Sequence, residues 1–251
     1  MDRLIYTAAS GLSASMARQR MIASNMANAQ TIGFRAETMT ATPVTLQSRS
    51  LEARALTLAE VKGVSMKEGV ISQTGRDLDV ACQGRTLLAV QAPDGSEAYT
   101  RRGDLSISPT GVLQNGDGLP VLGDGGPITV PTEARVTIAP DGAVMVSDAS
   151  TPDQPPVEVA RLKLASWEGT RIEKDLNGLF RVPDGSGGFG VLPTDENARV
   201  VPGALEQSNV DPNQVLVEMI EAQRLFEIRA KMISTVRDLD ESGASLMRIN
   251  T

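Results

Sequence analysis

Few residues in this sequence could carry out chemistry. Histidine is absent from the 251 residues, and Cys82 is the only cysteine. The chain therefore lacks the most common general base and metal ligand, and it cannot form an intrachain disulfide or a cysteine-rich zinc site. Cys82 follows the apolar pair Val80-Ala81, which predicts a buried thiol rather than an activated nucleophile.

One glycine-rich run matches a cofactor motif in its letters. Residues 185–190, Gly-Ser-Gly-Gly-Phe-Gly, fit the pattern G-x-G-x-x-G. A dinucleotide site also needs a strand before these glycines and a helix after them. Pro183 precedes the run and Pro193 follows it, so we predict a loop between two strands and no cofactor.

Asp77 and Asp79 are the nearest approach to a catalytic carboxylate pair. A β-rich hydrolase would need two such groups in a cleft, and loss of turnover on substituting either one would support that alternative. Residues two apart on a strand share a face. We expect both side chains to face solvent and to serve a turn or salt bridges.

The charge and composition narrow the choice of partner. The net charge is −7 with no run of Lys or Arg, which argues against a nucleic-acid or an anionic membrane surface. Aromatic residues make up only 3%, so a deep small-molecule site is not expected. No stretch approaches the length of a membrane span, and residues 1–6 lack the pattern of a signal peptide. We expect a protein that is cytoplasmic or exported without a cleaved signal.

The first 30 residues predict a long helix. Asp2 can cap a helix that runs from about Arg3 to Ala29 and is about 40 Å long. Apolar or small residues recur along it at alternating spacings of four and three, as in a coiled-coil seam. These positions are Ile5, Ala9, Leu12, Met16, Gln19, Ala23 and Met26.

A second long helix is predicted near the other end. Asp211 can serve as N-cap, Pro212 as the first helical residue and Gln214 as the partner in a capping box. Val210 and Val215 occupy the positions of a hydrophobic staple. The helix is expected to run to about Arg248. Its seam positions are Leu216, Met219, Gln223, Phe226, Ala230 and Ile233.

The region between the helices predicts an antiparallel β domain. Turn dipeptides such as Asp94-Gly95 and Asp141-Gly142 separate short runs of alternating polarity. The predicted fold class is therefore α+β, with residues 1–35 and 204–251 paired as a coiled-coil-like assembly domain. Residues 36–75 are expected to be an extended connector, and residues 76–203 a mostly antiparallel β domain.

Two helices with one apolar seam each bury too little surface to be stable alone. We therefore expect neighbouring subunits to complete their packing, and the ends of the free monomer to be partly disordered until assembly. Gln19 and Gln223 are candidates for fixing the register of the seam.

The segment after the first helix is unusual in its polar residues. Asn25 and Asn28 share one helical face, and Thr31 and Gly33 then end the helix. The two carboxamides are expected to cap free backbone groups at this end. A simple helix stop would explain Gly33 but would not require both asparagines.

These residues resemble a known family. Ser24-Asn25-Met26-Ala27-Asn28 followed by Thr31-x-Gly33-Phe34 resembles the N-terminal signature of flagellar basal-body rod and hook proteins. Ser208-Asn209-Val210, leading into Met219-Ile220-x-x-Gln223-Arg224-x-Phe226-Glu227, is similar to the C-terminal block of the same family. Residues 76–81, 99–103 and 123–131 also fit.

The resemblance implies a structural protein, not an enzyme, that needs no cofactor or metal. It implies assembly with copies of itself and other rod proteins into a hollow rod that crosses the periplasm and transmits motor torque, with no nucleic acid or small-molecule substrate as partner. It also implies export by the flagellar type III apparatus. The length and residues 123–131 look most like the proximal-rod branch. The distal-rod branch is the alternative, although residues 84–88 lack its bulky Gly-Phe-Phe pattern.

We expect the assembly interface to use residues from both ends of the chain. The predicted interface residues are Ile5, Leu12, Met16, Gln19, Asn25, Met26, Asn28, Thr31, Gly33, Phe34, Leu216, Met219, Ile220, Gln223, Phe226 and Ile233. A secreted carbohydrate-binding module is an alternative of another class. It would have to present Trp167, Tyr99 or Phe189 as exposed aromatic platforms.

Overall fold

The computed structural model describes residues 2–46, 54–132, 134–147, 155–175, 177–185 and 187–249. The chain divides into two compact units. The helical unit consists of Met1–Asn28, Glu37–Ser65 and Val210–Thr251. The β unit consists of Ala29–Ala36 and Met66–Asn209.

The helical unit contains two helices and a hairpin. Helix α1 spans Asp2–Ala27 and helix α2 spans Pro212–Ile249, within two residues of the predicted ends. Strands β1, Glu37–Leu46, and β2, Arg54–Val64, pair antiparallel and contact α1. The predicted connector, residues 36–75, thus contributes its first strands to the helical unit. No helix among the described residues is both long and apolar enough to cross a membrane.

Helix α2 begins as its capping residues predict. Asp211 Oδ1 accepts hydrogen bonds from the backbone N–H of Asn213 at 2.9 Å and of Gln214 at 3.4 Å. Val210 and Val215 are both buried, as a hydrophobic staple requires. The predicted capping box is wrong in one respect, because the Gln214 amide donates to Glu218 Oε1 at 2.8 Å. A carboxylate one turn ahead takes the Gln214 amide instead.

The β unit is built from short antiparallel strands. Its largest sheet has the order β14-β5-β6-β16-β15, with β17 paired to β16, and a second has the order β11-β12-β13. The remaining pairs are β9-β10, β7-β8, β4-β18 and β3-β19. The strands are β3 Ile71–Gln73, β4 Val80–Cys82, β5 Thr86–Gln91, β6 Glu97–Thr100, β7 Ser106–Ile107, β8 Leu113–Gln114, β9 Leu122–Gly123, β10 Gly126–Pro127, β11 Arg135–Ile138, β12 Ala143–Ser147, β13 Val157–Arg161, β14 Leu164–Ser166, β15 Glu173–Lys174, β16 Phe180–Pro183, β17 Phe189–Gly190, β18 Val200–Pro202 and β19 Ala204–Glu206.

The predicted turns lie where the chain reverses. Asp94-Gly95 joins β5 to β6, and Asp141-Gly142 joins β11 to β12. Of the glycine-rich run that resembles a cofactor motif, Gly185, Gly187 and Gly188 lie between β16 and β17, and Asp184 Oδ1 accepts a hydrogen bond from Gly188 N at 2.8 Å. The prediction of a loop between strands is confirmed for these residues, while Phe189-Gly190 form β17 itself.

One continuous apolar core fills the β unit. It includes side chains from most of the strands, among them Leu88, Val90, Leu105 and Leu113, all fully buried. Asp79 is 3% exposed, so the expectation that its side chain faces solvent is wrong. Its carboxylate accepts a hydrogen bond from Thr74 Oγ1 at 2.7 Å, which makes its burial possible.

The β unit extends beyond the predicted residues 76–203 at both ends. Residues 29–36 and 204–209 belong to it and not to the helical unit. Strand β19 pairs with β3, and Gly33 N donates to Glu206 O at 2.8 Å. These backbone bonds connect segments distant in the sequence, so local pattern does not predict them.

Candidate assembly site

Helix α1 buries a different face from the one its large apolar residues predict. Ser15, Ile22 and Asn25 are buried, whereas Met16 is 44% exposed. Among the other predicted positions, Leu12, Gln19 and Met26 are half-buried, while Ala9 and Ala23 are exposed. Ile5 lies in α1, but its side chain is outside the described residues. At alternate positions the buried residue thus lies one place before the predicted one, at Ser15 instead of Met16 and at Ile22 instead of Ala23.

Helix α2 shows the same offset. Val215 and Ala222, seven residues apart, are buried. Of the predicted seam, Met219, Phe226 and Ile233 are half-buried, and Leu216, Gln223 and Ala230 are exposed. On both helices every second predicted position is therefore wrong by one residue, since Ser15 and Ala222 are buried in place of Met16 and Gln223, while the half-buried positions between them keep the predicted spacing.

The two helices contact each other through polar groups. Arg229 Nη1 donates to Gly11 O at 2.5 Å and also to Ser15 Oγ. Gln19 Nε2 donates to Ala222 O at 3.5 Å. Residue numbers rise along α1 as they fall along α2, so the helices run antiparallel. Gln19 reaches across the pair as expected, whereas Gln223 points away from it.

The opposite side of α2 carries a stripe of large apolar side chains. This α2 stripe consists of Leu216, Val217, Ile220, Ile228 and Met232, which are 45–58% exposed. At 100° per residue the stripe is centred about 180° from Val215, which faces the interior. Outside the face that is covered within the helical unit, α2 thus exposes five large apolar side chains, interspersed with the exposed charged residues Glu221, Arg224, Glu227 and Lys231.

The asparagines at the end of α1 both use their carboxamides. Asn25 Oδ1 accepts from Glu37 N at 2.8 Å, and its Nδ2 donates to Glu37 O at 3.0 Å. The side chain therefore pairs with β1 as a neighbouring strand would. Asn28 Nδ2 donates to Ser24 O at 2.9 Å, which is the predicted cap of a free helix carbonyl.

The residues that follow, 31–36, are called the signature segment here and lie in the β unit. Thr31 O accepts from Phe34 N at 3.2 Å, which closes the turn. Gly33 has φ +68°, and a Cβ at this position would lie 2.5 Å from the carbonyl carbon of Arg101. Only glycine fits both the dihedral and the space. Lys174 Nζ lies 3.6 Å from the centre of the Phe34 ring, a cation–π contact.

Asn209 joins three parts of the chain. Its backbone N donates to Phe34 O at 3.3 Å, and its Oδ1 accepts from Ala36 N at 2.7 Å. Its Nδ2 donates to Lys67 O at 2.8 Å. The C-terminal block of the family resemblance therefore meets the N-terminal signature through this residue.

Three charged residues that sequence reasoning missed lie beside this contact. Arg35, Arg101 and Glu206 are each 1% exposed. Glu206 Oε1 is 2.5 Å from Arg35 Nη2, and Oε2 is 2.5 Å from Arg101 Nε. Burial and the nearby Arg101 guanidinium lower the pKa of Arg35 to about 10. Their separation in the sequence leaves no spacing signal, although Arg35 directly follows the recognised Gly33-Phe34 pair.

The aromatic residues do not form a carbohydrate platform. Tyr99 is fully buried and its hydroxyl donates to Glu97 Oε1 at 2.6 Å, so the possibility of an exposed ring is wrong here. Trp167 is half-buried. Phe189 is exposed, with the Arg181 guanidinium 4.5 Å from its ring centre.

The carboxylates do not form a hydrolase site either. Asp77 is paired with Arg135 at 2.8 Å, and Asp79 is buried. Neither residue lines the groove of about 490 Å³ next to Asp141 and Arg161. In that groove Asp141 is held by Arg161 at 2.9 Å, and this contact keeps the Asp141 pKa below its usual range.

Three family descriptions match successive parts of the chain. Residues 5–35 match "Flagella basal body rod protein", residues 81–146 match "Flagellar hook protein FlgE/F/G D1 domain", and residues 201–246 match "Flagellar basal body rod FlgEFG protein C-terminal". The flagellar basal-body rod protein FlgF of Salmonella typhimurium is 39% identical over 252 residues, which covers 100% of both chains. The chain belongs to the flagellar basal-body rod protein family.

Other members of the rod protein family agree with this assignment. FlgF of Escherichia coli is 40% identical over 95% of each chain. FlgG of Bacillus subtilis is 30% identical over 99% of this chain and 100% of its own length. The chain is thus a FlgF-like rod protein, and its family is structural, not enzymatic. The matches at residues 5–35 and 201–246 include the two helices and the signature segment.

Proposed function

We propose that this chain is a structural subunit of the bacterial flagellar rod, in its proximal segment, and that it assembles with copies of itself and with other rod proteins. The observation that carries the proposal is the α2 stripe, because it leaves five large apolar side chains uncovered on the helix that matches the rod family's C-terminal description. Uncovered apolar surface of this kind marks an interaction site.

The α2 stripe favours a helical partner. Leu216, Val217 and Ile220 lie within one turn, and Ile228 and Met232 follow two turns later on the same side of α2. An amphipathic helix from a neighbouring subunit can contact both groups. Fully burying one such side chain contributes about 1.5–3 kcal/mol, part of which offsets the entropy of ordering the helix. In the assembled rod, α1 and α2 then form a coiled-coil-like bundle with their neighbours.

The position of the α2 stripe determines what kind of assembly can form. The stripe lies opposite the α1 contact, so a neighbour adds to the pair without displacing α1. A contact between different surfaces of successive subunits generates a helical filament when it does not close into a ring. Torque is then carried by many modest contacts in each subunit.

The predicted interface residues keep their place in this proposal. Exposed Met16, Leu216, Ile220 and Gln223 are available to neighbours. Among the buried or half-buried members, Asn25 holds α1 to β1 within the helical unit, and Gly33 and Phe34 belong to the turn of the signature segment in the β unit. We also propose that the subunit leaves the cell unfolded through the flagellar type III apparatus, without cleavage of a signal peptide, and takes its place in the periplasm-spanning rod.

The test places a charge on the α2 stripe. Ile228→Asp should leave thermal unfolding of the purified chain unchanged, because the side chain is already 58% exposed. In cells that lack the native copy of this gene, the variant should fail to co-purify with basal bodies and should not restore swimming. Ile228→Leu, which keeps the apolar surface, is the matched control and should restore both. Normal incorporation of Ile228→Asp would overturn the proposal.

The distal segment of the rod is the alternative position. FlgG of Bacillus subtilis, also a rod protein by name, matches nearly all of this chain. Site-directed crosslinking in intact basal bodies distinguishes the two positions by the neighbour that is captured from residue 228.

A further inference from the structure

The interior of the β unit contains a cluster of three charged side chains. Arg35, Arg101 and Glu206, called the charge clasp here, come from the signature segment, from the end of β6 and from β19. Gly69 N also donates to Glu206 Oε1 at 2.8 Å. One carboxylate therefore connects four stretches of chain.

The charges of the clasp do not balance. Two buried guanidinium groups share one buried carboxylate, which leaves one excess positive charge among side chains that are 1% exposed. The exposed Glu68 also attracts Arg35, but it ranks after burial, Arg101 and Glu206 among the influences on the Arg35 pKa. Burying a charge without full compensation is unfavourable. At least one member of the clasp therefore opposes the stability of the β unit.

The two arginines differ in how well they are compensated. Arg101 donates to the carbonyl oxygens of Cys82 at 2.6 Å, Gly84 at 2.8 Å and Thr86 at 2.9 Å, in addition to Glu206. Arg35 lies close to Glu206, but within the described part of the chain none of its Nε, Nη1 and Nη2 atoms has a hydrogen bond of normal geometry. Arg35 is therefore the unfavourable member, and Arg101 is integral to the fold.

Arg35 lies in a segment that is also held by backbone hydrogen bonds on both sides of it. It lies between Phe34 and Ala36, whose backbone groups bond to Asn209, and Gly33 N bonds to Glu206 O. These neutral bonds would hold the signature segment whether or not the Glu206 carboxylate were in place. With Arg35 present, docking without that carboxylate would bury two unpaired guanidinium groups side by side.

We propose that Arg35 is a positioning residue that makes docking of the signature segment conditional on Glu206. The segment from the N-terminal part of the chain and strand β19 from its C-terminal part then dock together or not at all. Arg35 acts against partly docked states and not as a source of stability. The inference concerns folding of the β unit and holds independently of the proposed place in the rod.

The experiment uses the full chain and three variants, Arg35→Met, Glu206→Gln and the double variant. Hydrogen exchange followed by mass spectrometry reports on peptides covering 31–36 and 204–209, with β5 as an internal reference. Glu206→Gln should accelerate exchange in both peptides by roughly 100-fold or more, because it leaves two buried cations without a carboxylate. Arg35→Met should leave exchange in both peptides and the urea midpoint unchanged, or should raise the midpoint.

The double variant decides the question. Removing the Arg35 charge should rescue Glu206→Gln and restore at least about tenfold of the lost protection, because the conflict of charges is gone. If Glu206→Gln does not fold at all, the double variant should still fold. Arg85→Met, which removes the exposed partner of Glu168, is the control for loss of an arginine and should change neither peptide. A double variant no better than Glu206→Gln, or an Arg35→Met variant that loses protection alone, would overturn the proposal.

Discussion

The β unit and the helical unit differ in where their exposed apolar side chains lie. The β unit encloses one continuous core, and its exposed apolar side chains are spread over separate segments, including Val70, Val157 and Phe189. The helical unit places five exposed apolar residues along one helix. The β unit therefore buries its main apolar cluster within itself, whereas the helical unit leaves a row of large apolar side chains exposed, which we propose a neighbouring subunit covers.

The two units also differ in how they use buried polar groups. In the β unit Arg101 satisfies three carbonyl groups and one carboxylate. In the helical unit Arg229 reaches a backbone carbonyl and a hydroxyl on α1. A polar pin in a helical contact favours one register at some cost in stability. The polar contacts of the helical unit thus favour one pairing of α1 with α2, whereas those of the β unit hold its interior together.

Limited proteolysis of the dilute monomer should show the largest difference between the two units. We expect trypsin to release peptides from α1 and α2 at least about 100-fold faster than it cuts within residues 66–209, because local opening is easiest where few contacts are buried. Assembly into rods should abolish the difference. Equal resistance of helices and β unit in the monomer would contradict the comparison.

Gly33→Ala should cause the largest loss among single substitutions. A Cβ at this position meets the backbone of Arg101 at 2.5 Å, and φ is +68°, so we expect a loss of roughly 2–5 kcal/mol in the free energy of unfolding. Gly11→Ala in α1 is the control, since its nearest neighbour is Arg229 Nε at 3.8 Å. This control should raise stability by about 0.5–1 kcal/mol through helix propensity. Urea titration measures both, and a harmless Gly33→Ala would show that the turn can rearrange.

Asn25→Asp should destabilise the junction of α1 and β1. A carboxylate can still accept from Glu37 N, but it cannot donate to Glu37 O and it repels that carbonyl. We expect a loss of roughly 1–3 kcal/mol, seen by circular dichroism during urea unfolding. Asn28→Asp, which removes one bond to Ser24 O at a half-buried site, should cost less. If the order were reversed, the pairing of Asn25 with β1 would not be the main role of its carboxamide.

The smallest effect concerns Cys82 and pH. Burial raises the pKa of its thiol from 9.0 to about 11. The unfolded chain therefore loses this proton first, so the contribution is present below pH 9 and is lost as pH rises towards 11. We expect it to reach up to about 2 kcal/mol. Cys82→Ala should flatten the decline of unfolding free energy over this range, and the remaining slope should reflect Tyr99, whose pKa burial and Glu97 also raise. An unchanged slope would mean that the β core opens to solvent before it unfolds.

Features set by local chemistry were predictable from the sequence. The N-cap at Asp211 and the turn at Asp94-Gly95 each depend on a few neighbouring residues. The two helices and the antiparallel β region follow from the same kind of signal. The family resemblance also rested on short blocks, and the full-length matches confirm it.

Features set by contacts between distant residues were not predictable in the same way. Every second position of the helical seam was misplaced by one residue, because the local spacing does not show which of two neighbouring positions, such as Ser15 and Met16, faces the other helix. Arg35 and Glu206 gave no signal, since neither belongs to a periodic pattern and their partner, Arg101, lies far away in the sequence, directly after β6. Burial of Asp79 was missed because its hydrogen bond from Thr74 depends on the turn between them.

Asn209 has a consequence for the architecture of the chain. Its one side chain and backbone N bring together residues 34–36, residue 67 and residue 209, which lie at three of the four places where the chain enters or leaves the β unit. Residues 66–209 are therefore an insert whose ends meet. Inserts of this type can be lengthened, shortened or replaced while the flanking elements keep their own structure. One carboxamide thus marks the point at which a subunit of this design could exchange one module for another.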